Sequence, residues 1–173
     1  MRRAIRTFLG ALSSESVGFR FFGATNLEWA SDWSVEHDDL RYGLVATVDS
    51  DPPIVAHGVY VRENADCADC AEVAFVVADA LHGHGIATIL LGQLAAAAEG
   101  HGISTLTAAV LPYNHRMLEA FRDSGFTVEQ QVTSEEVHLK LHDLSLRRDA
   151  LSEAHPEIAA VEVHLAGTPK VSP

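Results

Sequence analysis

Apolar positions along the chain follow two periods, and the points where one gives way to the other outline the fold. Near the N-terminus Ile5, Phe8, Leu9 and Leu12 recur at helical spacing. Ser13-Ser14 stands where a second short helix, running through Phe22, would be capped, so residues 4 to 22 read as helical. The period then shortens. Leu44-Val45-Ala46-Thr47-Val48 and Ile54-Val55-Ala56-His57-Gly58-Val59-Tyr60 are strand-like, and the turn-rich Asp49-Ser50-Asp51-Pro52-Pro53 between them makes a hairpin. A polar loop from Arg62 to Asp69 leads to Ala71-Glu72-Val73-Ala74-Phe75-Val76-Val77, whose nearly continuous apolar character predicts burial on both faces.

From Ile86 the helical period returns, with Ile86, Ile89, Leu90, Leu94 and Ala97 on one face and an end near Gly100 and Gly102. Thr105 to Leu111 reads as a buried strand. Asn114 to Ser124 reads as a helix with Met117, Leu118 and Phe121 on one face and Gly125 as its C-terminal cap. Phe126 to Val132 and Val137 to Leu141 form a closing hairpin in which Val137, Leu139 and Leu141 alternate with His138 and Lys140. Leu146 to Ala154 reads as a helix stopped by Pro156, and Ala160 to Leu165 as one more strand. Antiparallel hairpins followed by strand–helix–strand–helix–strand describe an α/β (α+β) chain: a mixed, mostly antiparallel, twisted sheet flanked by helices. Residues 1–144 would form the domain and 145–173 a C-terminal extension.

At 173 residues the chain suits one domain with its own core. No apolar run reaches the roughly 18 residues of a membrane span. The basic start MRRAIRTFLGAL carries an apolar patch, Phe8 to Leu12, shorter than the ~7 residues of a signal-peptide core, so a cytoplasmic protein is expected. A net charge of −12 argues against duplex nucleic acid as a partner and favours a cationic one. Cys67 and Cys70 form one C-x-x-C. A structural zinc site needs a second ligand pair and a redox motif belongs beside a βαβ unit, so the pair reads as two reduced thiols at a hairpin tip, with no metal.

Candidate chemistry lies in ALHGHGIATILL, residues Ala80 to Leu91. A glycine-rich turn at a helix start, straight after a buried strand, presents free N–H groups and the positive end of a helix dipole, which favours phosphate. The same field works against His82-x-His84 as a zinc pair. As a dinucleotide loop, Gly83-x-Gly85-x-x-Thr88 lacks the third glycine, and no acidic residue closes the strand from Thr105 to Leu111 to hold a ribose. No Gly-Lys-Ser/Thr is present for a P-loop. A tight turn without a ligand is the remaining alternative.

His82-Gly83-His84-Gly85-Ile86-Ala87 resembles the Gln/Arg-x-x-Gly-x-Gly/Ala pyrophosphate loop of the GNAT superfamily of acyl-CoA-dependent N-acyltransferases, with His82 where the family usually has Gln or Arg. The order of elements matches, down to Asn114 opening a helix that ends in Ser124-Gly125-Phe126. Arg20-Phe21-Phe22-Gly23, Ala71-Glu72-Val73-Ala74-Phe75 and Leu111-Pro112-x-Asn114-x-Arg116-Met117-Leu118 resemble more narrowly the bacterial protein-lysine acetyltransferases that modify acyl-CoA synthetases, including GNAT modules fused to such synthetases. The resemblance covers about residues 10 to 142.

That resemblance implies acyl-CoA, acetyl-CoA or another short ester, as co-substrate in a cleft between two splayed central strands. The acceptor would be a protein lysine, for instance on an acyl-CoA synthetase, or a small amine; a homodimer is compatible with it. Backbone N–H groups of Phe75, Val76 and Val77 would bind the pantetheine arm and polarise the thioester. His82, Gly83, His84, Gly85, Ile86, Ala87 and Thr88 would hold the pyrophosphate, and Asn114 and Arg116 the CoA arm and phosphates. A lysine with pKa ~10.4 is almost wholly protonated at neutral pH, so a base is needed, and relatives often use a Glu on the strand that here carries Glu72. The alternative for Glu72 is an exposed strand-end charge. Two departures stand out. Relatives usually begin with an extra strand before the first helix, a place that Val161 to Leu165 could fill. The Tyr that protonates the departing thiolate in many relatives is matched by Phe121, with Tyr113 near in sequence. These departures keep open a second reading, a non-catalytic acyl-CoA-binding module or a fragment of a synthetase-linked protein.

Overall fold

The computed structural model describes residues 1–23, 25–35, 40–48, 54–62, 67–147 and 161–166. Within them the elements run α1 (Arg2–Ala11), α2 (Ser14–Phe21), α3 (Leu27–Ser34), β1 (Arg41–Val48), β2 (Ile54–Arg62), β3 (Cys70–Val77), α4 (Ile86–Gly100), β4 (Thr105–Val110), α5 (His115–Asp123), β5 (Thr127–Val132), β6 (Val137–His142) and β7 (Val161–Leu165). The expected turn at 49–53, most of the polar loop before β3 and the expected helix beyond residue 147 lie outside the described residues; Leu144–Arg147 is a turn of 3-10 helix.

Among the described residues seven strands form one open sheet in the order β5-β6-β4-β3-β2-β1-β7. All neighbours are antiparallel except β3 and β4. The mixed, mostly antiparallel sheet expected from the sequence is therefore present. β7 lies antiparallel to β1, from Leu44 opposite Leu165 to Val48 opposite Val161. β7 thus forms the edge of the sheet beside β1.

Each face of the sheet has its own core. α4 and α5 cover one face, where Leu90, Leu91, Leu94 and Ala98 pack with Val73, Phe75, Leu106, Leu139 and Leu141. α4 buries residues on most of its circumference, as a central helix does. On the opposite face Ile5, Phe8 and Leu9 of α1 and Ala30 of α3 pack against Val45, Ile54 and Val76. Strand residues that alternate between these two sets explain why β2 and β3 read as continuous apolar runs.

The sequence pattern does not reveal α3. Its buried residues are the small Ala30, Ser31 and Ser34, while Trp29 is exposed, so no apolar stripe marks it. It starts instead at Asn26, whose Oδ1 accepts the N–H groups of Glu28 at 2.9 Å and Trp29 at 3.1 Å. Cys67 and Cys70 also differ from expectation: they form a disulfide and are not reduced thiols. The turn entering β3 folds back on itself, with the Cys70 N–H directed at the Cys67 carbonyl at 3.4 Å, and brings the two Cα atoms to 5.3 Å, inside bridging range.

α4 approaches the sheet closely because β2 has no side chain at Gly58. A methyl group there would stand 2.8 Å from Leu94 Cδ1, 3.0 Å from Phe75 Cβ and 3.1 Å from Leu90 Cδ2. Gly58→Ala is expected to destabilise the fold by about 1–3 kcal/mol, the usual cost of overfilling a packed core. A urea melt with unchanged slope and lowered midpoint would verify it; an unchanged midpoint would mean that α4 can lift away freely.

Candidate active site

The parallel pair sets the site. β3 and β4 pair over three positions only, Cys70 with Thr105, Ala71 with Leu106 and Glu72 with Thr107. Beyond them β3 continues to Val77, still paired to β2, and β4 continues to Val110, still paired to β6. The two strands therefore part after Glu72, and the edge of β3 that faces β4 is left without a strand partner from Val73 onward. A cleft of about 510 Å³ opens here, lined by Phe75, Val76 and Val77 of β3, the loop before α4, the first turn of α4, α5 and α2.

The loop takes its shape from two glycines. Gly83 at φ +78° and Gly85 at φ +75° hold left-handed conformations that other residues adopt at a cost. Gly85 is the residue before α4, and among the described residues no side chain caps this end. The N–H groups of Ile86, Ala87 and Thr88 therefore look into the cleft at the positive end of a long helix. His82 is held by both ring nitrogens. Nε2 lies 3.0 Å from the Val77 carbonyl, and Arg116 Nη1 donates to Nδ1 at 2.9 Å. Since a guanidinium only donates, Nδ1 is the acceptor and the proton sits on Nε2. Both ring nitrogens of His82 are thus engaged, and the Nδ1 of His84 lies 2.9 Å from the His82 carbonyl.

Asn114 is buried and caps α5 by accepting the Met117 N–H at 3.3 Å. Arg116 lines the cleft on the same helix. Phe121 is buried and packs its ring 5.4 Å from that of Phe75, so it faces the core as a hydrophobic side chain without a proton to give. Tyr113 is exposed and lies 5.6 Å, ring to ring, from Phe19 of α2.

Of the residues expected from the sequence, Phe75, Val76, Val77, His82, Gly83, Gly85, Ile86, Ala87, Thr88, Asn114 and Arg116 line one cleft. His84 is not among the lining residues; its ring bonds within the loop, to the His82 carbonyl. Glu72 is not on the cleft wall either. It is exposed, at the last rung before the strands separate.

α2 supplies a wall that sequence reasoning does not assign: Ser16, Phe19 and Arg20. Its seat is an anchor on Asp79, just after β3. Asp79 accepts the Ser13 N–H at 2.9 Å, the Ser13 hydroxyl at 2.6 Å and the Ser16 hydroxyl at 2.7 Å. Partial burial raises the pKa of this carboxyl, but the hydrogen bonds from Ser13 and Ser16, aided by His82, outweigh it and bring the value from 3.8 down to about 2. At the other end of α2, burial lowers Arg20 from 12.5 to about 10, opposed by the attraction of the Glu72 carboxylate. Arg20 also stacks on Phe21, 4.8 Å from its ring centre. Ser13-x-x-Ser16 is an ordinary capping pattern in sequence, and nothing local to Asp79 signals its partner, because the two lie more than sixty residues apart.

A mixed sheet flanked by helices that splays beside a glycine loop and a helix N-terminus is the fold of an acyltransferase family. The chain belongs to the acetyltransferase (GNAT) family, whose pattern it matches over residues 11–126. The family transfers acetyl groups from acetyl-CoA. The GNAT domain of S. lividans PAT is 33% identical, with a TM-score of 0.73 over 82% of this chain and 84% of that one. A cAMP-binding acyltransferase from Mycobacterium smegmatis is 25% identical with a TM-score of 0.53, over 75% of this chain and 41% of that one. A GCN5-related N-acetyltransferase from Kribbella flavida shares the fold at 18% identity, TM-score 0.62, over 82% and 89%. No curated protein matches the chain. No helix among the described residues is long and apolar enough to cross a membrane.

The Asp79 anchor has a pH signature. A carboxyl whose folded pKa lies below its unfolded value stabilises the fold above the unfolded pKa and loses that contribution as pH falls through the folded one. Asp79→Asn is expected to lower stability by a constant amount at neutral pH, with the gap to the parent closing between about pH 4 and pH 2. Denaturant melts across that range measure it; a gap that persists at pH 2 would mean that the anchor is not ionic.

Proposed function

We propose that the chain moves an acetyl group from acetyl-CoA to the side-chain amine of a protein lysine, with Glu72 as general base. The observation that carries the reading is the parting of β3 from β4 directly after Glu72, which opens the β3 edge beside the glycine loop and puts an exposed carboxylate at the last rung before the strands separate. The uncapped start of α4 with Arg116 suits a pyrophosphate. The unpaired β3 edge suits the amide-bearing pantetheine arm, which would add to the sheet as a short strand does. A lysine acceptor is supported by the S. lividans relative, a protein acetyltransferase, and by the negative net charge of the chain.

In the reaction the amine nitrogen attacks the thioester carbon. Negative charge builds on the carbonyl oxygen, where β3 backbone N–H groups act, and positive charge builds on nitrogen. Glu72, directly or through water, takes a proton from the lysine ammonium so that the neutral amine can attack, and the proton that nitrogen sheds on forming the C–N bond passes to solvent. The C–S bond then breaks, and the sulfur leaves as thiolate and is protonated by solvent, since Phe121 has no proton to offer.

Two variants test the two halves of the site. Glu72→Gln keeps the shape but accepts no proton. Affinity for acetyl-CoA should hold while turnover on a lysine peptide, read as thiol release, falls by about 10²–10⁴ near neutral pH and recovers partly at high pH. Equal rates would remove Glu72 from the chemistry. Absence of turnover in the parent itself, despite tight acetyl-CoA binding, would favour a binding module. Gly85→Glu puts a negative side chain at the helix start and should abolish acetyl-CoA binding by calorimetry in protein that is folded by circular dichroism. Unchanged binding would overturn the loop assignment.

A further inference from the structure

A second hollow, of about 270 Å³, adjoins the main cleft. It is walled by Glu15 and Phe19 of α2, by Phe22 just past the end of that helix, and by Leu111 and Tyr113 after β4. Glu15 and Phe19 line the main cleft as well, so one turn of α2 is the wall shared by the two. None of the residues from 82 to 88 lines the hollow. A molecule seated on the glycine loop and the β3 edge would therefore leave it empty, and a second reactant could enter it.

Packing does not account for the side chains that build it. Phe22 is 49% exposed and Tyr113 63%. Phe22 also closes α2 in the left-handed region, at φ +56°, a place that glycine takes without strain and a bulky residue takes at a cost. The Tyr113 ring stands 5.6 Å from that of Phe19 and is tilted to it by 50°, so the two make an aromatic corner. Glu15 is exposed and makes no ion pair among the described residues. The dipole of α2 suffices to explain a carboxylate in its first turn, but not the aromatic faces grouped with it. No basic residue lines the hollow among the described residues.

We propose that this hollow is a docking subsite for the acceptor, taking a cationic side chain, lysine or arginine, that flanks the target lysine of a protein substrate. The proposal rests on the reading of the chain as a lysine acetyltransferase. Aromatic faces beside a carboxylate are the chemistry that recognises an ammonium or guanidinium group. The rings attract the cation, Glu15 supplies the counter-charge, and the aliphatic stem lies along Leu111. The net charge of −12 draws a basic segment toward the opening, and Glu119 and Asp123 of α5 add negative charge to the adjoining cleft. A glutamate in the flanking position would meet Glu15 and be rejected.

The test uses the full chain and labelled peptides in which norleucine replaces the target lysine, so that fluorescence anisotropy reads binding without turnover. The peptides are alike except that both residues flanking the norleucine are Arg, Gln or Glu. The parent should bind the Arg peptide tightest and the Glu peptide weakest. Glu15→Gln and Tyr113→Ala should each shrink the preference for Arg over Gln by about 2- to 5-fold, the usual worth of an exposed ion pair or cation–π contact. Phe22→Gly, which removes the ring and the strained backbone together, should shrink it too and stays readable if another variant folds poorly. Because the preference is a ratio within one protein, a general loss of stability does not move it. Equal binding of the three peptides by the parent, or a preference that is unchanged in Glu15→Gln, would overturn the proposal. The matching lysine peptides with acetyl-CoA should follow the same order in kcat/KM. The expected binding order without any turnover would support the subsite and overturn the transfer reaction instead.

Discussion

Three rungs of parallel pairing govern the molecule. Had β3 and β4 stayed paired to their ends, the sheet would have been continuous and Phe75 to Val77 would have spent their backbone groups on a neighbour. Because the pairing ends at Glu72 and Thr107, each strand keeps its outer partner and loses its inner one. Buried backbone polar groups are rarely left unmatched, so a strand edge open to a cleft is a standing demand for a ligand with amides of its own. The core lies behind the split. Phe121 of α5 packs against Phe75 in the core on the α4 face.

The walls of that cleft are assembled from parts with different tolerances. The glycine loop and the start of α4 offer backbone, so their chemistry survives many side-chain changes provided the two left-handed positions are kept. His82 is the side-chain tie of this loop. It is tied to Val77 and Arg116, and keeps the loop against the strand and helix it must join. α2 is the opposite case. Its position depends on the side chains of Ser13, Ser16 and Asp79, and its contribution to the cleft depends on Phe19 and Arg20.

What could be read from the sequence follows this division. Elements with a sustained apolar period, α1, α4 and the strands, are legible, and so is the glycine loop, because local backbone demands leave local traces. Asn114 and Gly125 mark the two ends of α5 for the same reason. α3 was illegible because it buries serines and alanine and exposes tryptophan. The Asp79 anchor was illegible because it joins residues that only the folded chain brings together. The C-x-x-C pair shows the limit from another side: spacing alone does not distinguish two thiols from a bridge, since the outcome depends on the turn that carries them.

The place of β7 gives the fold an order in time. β1 is made well before its outer neighbour, β7. Until residues 161–165 arrive, β1 presents the unpaired edge of a hydrophobic strand, the kind of template on which a second chain can add. Closing it requires contact between distant parts of the sequence, which is slow compared with forming the hairpins and α4. The acyl-transfer cleft, built around β3 and β4, sits in the interior of the sheet and can be complete before its edge is sealed. The C-terminal strand is in that sense a guard for the nascent molecule as much as a part of the finished one.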